Sequence, residues 1–120
     1  MNAPNFDKER RRDKRVTKHF ILSYYAKQDP EIKHDITQLK NISLGGMCFL
    51  TSKGYEPTAT LCVELKTPYL AEATHLEGTV LESHMKVKNL IYETRLMFHT
   101  LSPQAEFVLN KIIEQFEQKR

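Results

Sequence analysis

The chain has 120 residues, 40% of them apolar, which suits one domain around one core. No apolar run nears the roughly 20 residues of a membrane helix, so no membrane insertion is expected. The formal net charge is +3, and all of the excess sits in residues 1–15, with six basic against three acidic side chains. The remainder holds twelve of each, which argues against a basic groove running along a strand face.

In chain order, residues 1–8 read as a flexible N-terminus without the apolar core of a signal peptide, and a single domain is expected over 9–120. Arg10, Arg11, Arg12 and Arg15 place four of the six arginines within six residues. Arginine rather than lysine suits planar, two-pronged recognition of phosphate or a guanine edge. The plainer reading is a solvated basic tail.

Residues 16–26 (VTKHFILSYYA) are rich in β-branched and aromatic side chains and predict the first strand. Pro30 marks a loop. Residues 34–43 (HDITQLKNIS) predict the second strand, and the imperfect alternation of Ile36, Leu39 and Ile42 suggests a bulge.

The stretch 41–46 (NISLGG) then reads as a strand end, a tight turn and the start of the next strand. Asn41 and Ser43 are two apart and share one face of an extended chain, with Ile42 and Leu44 pointing to the other. Gly45 and Gly46 are expected to supply φ > 0 for the turn and room for a ligand to approach the backbone.

Residues 47–51, 60–65, 73–85 and 90–99 complete six strands with short connections. In the fifth, Leu76, Val80 and Leu81 are expected to point inward, with Gly78 at a bend. Antiparallel pairing without intervening helices predicts an all-β chain built as a six-stranded antiparallel β-barrel. A C-terminal helix follows: Ser102 caps it, Pro103 is its first residue, and Ala105, Val108, Leu109, Ile112, Ile113 and Phe116 form one apolar stripe. The stripe is expected to cover an open end of the barrel. Phe107 falls off it and is a candidate contact surface.

Catalytic and metal signals are weak. The five histidines are scattered through strands, and no GxSxG, HExxH, P-loop or GxGxxG occurs. Cys48 and Cys62 lie in strand-like runs with no CxxC spacing and read as small core residues of a reducing, cytoplasmic compartment. The expectation is a protein that is not an enzyme and has no cofactor or metal.

Two stretches together resemble a known family. Arg11 and Arg15 end an RxxxR pattern, and Asn41, Ser43 and Gly46 fill [D/N]xSxxG. Their order and the strand pattern resemble PilZ domains, bacterial receptors for cyclic di-GMP, over about residues 9–117. The resemblance implies a six-stranded barrel with a C-terminal helix, and an arginine loop that closes over ligand on the barrel surface. Arg11 and Arg15 would grip guanine edges and phosphates. Asn41 and Ser43 would hydrogen-bond the ligand, Gly46 would leave space for it, and Arg10 would add a further fork.

Two positions depart from the family pattern. Asn41 stands where many relatives carry Asp, and Arg95 stands where they often carry Gly, between Tyr92 and Phe98. The output is expected to pass through an unidentified effector protein, with no nucleic-acid polymer as partner. A PilZ-like adaptor that does not bind the nucleotide is the alternative, and a nucleic-acid-binding barrel is the third reading.

Overall fold

The computed structural model describes residues 20–118. Seven strands and one helix make up this part: β1 (Ile21–Ala26), β2 (His34–Asp35), β3 (Leu39–Ile42), β4 (Gly46–Thr51), β5 (Thr60–Lys66), β6 (Thr74–Val87), β7 (Ile91–Phe98) and α1 (Pro103–Gln118). The strands form one antiparallel sheet in the order β2-β1-β5-β6-β7-β4-β3.

The two edges of that sheet are consecutive in sequence, joined by residues 36–38 alone. Four Cα steps reach at most about 14 Å, so the sheet has to roll up. Bonds on both sides of the joint continue the pairing: Ile36 N–H donates to Leu22 O (2.9 Å), and Leu50 N–H donates to Gln38 O (3.1 Å). The expected second strand is therefore one stretch that pairs with β1 at its start and β4 at its end. It is counted as two strands because it changes partner, and the expected bulge falls between Leu39 and Asn41.

Alternation decides what lies inside the roll. Tyr24, Phe49, Leu61, Val63, Leu65, Leu76, Val80, Leu96 and Phe98 are buried, while their strand neighbours mostly face out. Tyr24 packs edge-on to Phe49 with ring centres 5.2 Å apart. Two expectations for inward residues fail. Leu81 is exposed because β6 slips register between Val80 and Glu82, so the irregularity lies beyond Gly78. Leu44 is exposed because the chain reverses there.

The helix is as the spacing predicts. Ala105, Val108, Leu109 and Ile112 join the barrel core, and Gln104 Nε2 donates to Thr74 Oγ1 at the start of β6 (3.1 Å). Ser102 Oγ accepts from Ala105 N–H (3.1 Å), satisfying one of the orphan donors of the first turn. Replacing Ser102 by alanine should cost about 1 kcal/mol of unfolding free energy in a urea titration. Phe107 is exposed and lies edge-on to Tyr69, with Lys111 over both rings.

Candidate functional site

The β3–β4 corner is a tight hairpin. Ser43 N–H donates to Gly46 O (2.9 Å), and Gly45 N–H donates to the Ser43 hydroxyl (3.1 Å). Neither glycine has φ > 0, so the turn does not use the left-handed freedom expected of it. Gly46 is needed for a different reason. A Cβ there would collide with the carbonyl oxygen of Leu96 on the neighbouring strand and lie 3.3 Å from Met97 Cα. Its missing side chain lets β4 approach β7. At Gly45 the nearest atom is Ser43 Oγ at 3.7 Å, an ordinary contact.

Asn41 and Ser43 are both exposed on the outer face, and Ile42 between them is buried, as the two-residue period predicts. Ser43 Oγ reaches Gly46 O at 3.5 Å, the outer limit of a hydrogen bond, so its proton remains available to another acceptor. Cross-strand pairing continues the outer row from Asn41 to Cys48, Arg95 and Glu82. Asn41, Ser43, Gly46, Cys48 and Arg95 line one concavity of about 260 Å³, and Leu81 and Met97 add apolar wall.

The site is electrostatically mixed. Arg95 Nη1 lies 3.3 Å from Glu82 Oε2, and both side chains are well exposed, so the pair is weak and open to competition. Cys48 Sγ–H donates to Glu93 Oε2 at 3.3 Å, and Lys86 lies 3.2 Å from the other oxygen of Glu93. The Cys48 contact, then Lys86, holds the Glu93 carboxyl below its ordinary range. Burial, then the Glu93 carboxylate, pushes the Cys48 thiol up to about 11. A neutral thiol is a poor nucleophile. Alkylation of Cys48 by iodoacetamide, followed by peptide mass spectrometry, should be slow near neutral pH and accelerate only as the pH approaches 11.

Of the residues singled out in the sequence, Asn41, Ser43 and Gly46 come together here. Arg10, Arg11 and Arg15 lie outside the described residues, as does the stretch 1–8. The direction of β1 is nonetheless informative. Two antiparallel pairings separate β1 from β6, and two separate β6 from β4, so β1, β4 and β6 run the same way. The chain therefore comes into β1 at the end of the sheet that carries the Ser43–Gly46 turn. Cys48, Leu81 and Met97 were not foreseen, because cross-strand neighbours depend on a register that one strand's pattern does not reveal. Among the described residues no cluster of His, Cys, Asp or Glu could hold a metal, and no helix is long and apolar enough to cross a membrane.

A family model described as PilZ domain matches residues 9–115. No curated protein and no solved structure matches the chain. With most of its length matched, on a rolled antiparallel sheet closed by a C-terminal helix, the chain belongs to the PilZ family of cyclic di-GMP receptor domains.

Proposed function

We propose that this domain is a cyclic di-GMP receptor that takes its ligand at the β3–β4 corner. Asn41 and Ser43 hydrogen-bond it from the outer face, Gly46 lies beneath it, and Arg10, Arg11 and Arg15 grip its guanines and phosphates. One observation carries the reading: the exposed Asn41, Ser43 and Arg95 share a concavity at the end of the sheet where the chain enters β1.

The chemistry matches the ligand. Each guanine offers O6 and N7 to an arginine fork, and its faces suit stacking by guanidinium groups and the apolar Leu81 and Met97. The Asn41 amide both donates and accepts, so it meets a guanine edge without a charge. An aspartate there would bind the guanine N–H groups more strongly, so affinity is lower than with Asp. Ligand phosphates neutralise the arginine cluster, and an effector protein reads the altered surface. One feature favours the alternative, an adaptor that does not bind the nucleotide: the Glu82 carboxylate beside Arg95 opposes a phosphate.

Calorimetric titration with cyclic di-GMP, and with cyclic di-AMP as control, tests this. The expected result is saturable cyclic di-GMP binding with one or two molecules per chain. Cyclic di-AMP should bind about tenfold more weakly or worse, since the adenine amino group repels the fork that guanine O6 accepts. Failure of both to bind would leave the adaptor, and equal binding would mean unselective phosphate attraction.

A further inference from the structure

β6 is longer than the strands beside it. Its pairing with β5 ends at Thr60 and Thr79, after which Thr58 N–H donates to Val80 O and Val80 N–H to Ala59 O. Its pairing with β7 continues in register from Glu82 to Met85 and, after a second shift between Met85 and Val87, ends at Val87 and Ile91. Among the described residues, 81–87 are thus paired on one side only. Such an edge is a template for another strand.

Hydrogen-bond phase shows which backbone groups face the open side. Phe98 N–H donates to Gly45 O, towards β4, so along β7 the alternate residues Arg95 and Glu93 direct their backbone groups to β6. Their partners are Glu82 and His84. The N–H and C=O groups of Ser83 and Met85 therefore aim away from β7. The side chains along this edge are complementary to a copy of themselves. An antiparallel twofold centred on His84 sets Ser83 opposite Met85 of the second copy, each exchanging backbone bonds, and sets Glu82 opposite Lys86. Glu82 already lies 3.3 Å from Arg95, and Lys86 lies 3.2 Å from Glu93. The paired edges would carry charges in alternating sign: Arg95, Glu82, then Lys86 and Glu93 of the other copy. Leu81, Met85 and Val87, each about half exposed, flank the same segment.

We propose that the free edge of β6, residues 81–87, is the interface of an antiparallel homodimer in which Glu82 of each copy faces Lys86 of the other. The two β6–β7 hairpins then form one continuous sheet, and the apolar side chains along the edge lose solvent. This does not depend on the ligand reading.

Sedimentation velocity on the full chain, without nucleotide and over a wide concentration range, tests it. The wild type should reach dimer. Glu82→Lys sets lysine against lysine and Lys86→Glu sets glutamate against glutamate, so each variant alone should associate about tenfold more weakly or worse. An equimolar mixture of the two should regain wild-type association, because both lysines of one variant then meet both glutamates of the other across the twofold. Recovery on mixing also shows that both variants are folded. A wild type that stays monomeric throughout, dimers unaffected by either substitution, or a mixture no better than its components would each overturn the proposal.

Discussion

Gly46→Ala is expected to destabilise the domain by about 3 kcal/mol, while Gly45→Ala one residue away changes stability by less than about 0.5 kcal/mol. Both glycines sit in the same turn, and neither has φ > 0, so backbone conformation does not separate them. The difference lies in what a methyl group would meet. At Gly46 it collides with the Leu96 carbonyl oxygen, a backbone atom held in the β4–β7 ladder, which cannot step aside as a side chain would. Relief requires β4 and β7 to part where both line the concavity. At Gly45 the methyl meets only Ser43 Oγ at ordinary contact distance. Urea unfolding followed by circular dichroism measures both. Equal effects would mean that turn geometry, not strand approach, is why glycine stands at 46.

The second large effect is on binding. Arg11→Ala and Arg15→Ala should each weaken cyclic di-GMP binding about ten- to a hundredfold, the loss expected when a two-pronged arginine–guanine contact of about 1–3 kcal/mol is removed. Lysine should restore only a small part. It keeps the positive charge but loses the planar fork. Arg12→Ala serves as a control within the same run, since Arg12 is neither end of the RxxxR pattern, and it should change affinity only by the loss of general attraction. Calorimetric titrations of these variants decide. Affinities indistinguishable from wild type at both 11 and 15 would remove the arginines from the site, and full rescue by lysine would reduce their part to charge alone.

How far the chain can be read without coordinates varies along it. The helix was the plainest part. Ser102 and Pro103 announce its start, and the spacing of Ala105, Val108, Leu109 and Ile112 makes a buried face inevitable for a helix of that period. Strand positions were nearly as clear, because alternation is a property of one segment. Partner exchange is not. The faltering pattern around Ile36, Leu39 and Ile42 pointed to a bulge, not to a stretch that serves two neighbours, and the closure of the roll rests on that exchange. The irregularity of β6 was expected at Gly78 because glycine often marks a bend. Register shifts fall instead after Val80 and after Met85, and Gly78 keeps register to leave room for Leu96, whose Cγ would lie 2.7 Å from an added Cβ.

The candidate site divides along the same line. Asn41 and Ser43 share a face by the two-residue period alone, so their convergence was legible. That Cys48, Arg95, Leu81 and Met97 complete the wall follows from register across three strands and a slip in one of them. Arg95 points outward, and its Glu82 partner on β6 was hidden by a separation of 13 residues in the chain. The left-handed freedom expected of the two glycines is not used, and at Gly46 the structure shows space for a neighbouring backbone.

The most direct test of the receptor reading is a titration of the isotope-labelled chain with cyclic di-GMP, following backbone amide resonances residue by residue. A ligand seated at the β3–β4 corner predicts shifts that saturate together at Asn41, Ser43, Gly46 and Cys48, at Arg95 and Met97, and along residues 10–15. Shifts absent from that corner, or centred instead on the separate concavity lined by Tyr25, Glu77, His99 and Ser102, would contradict it.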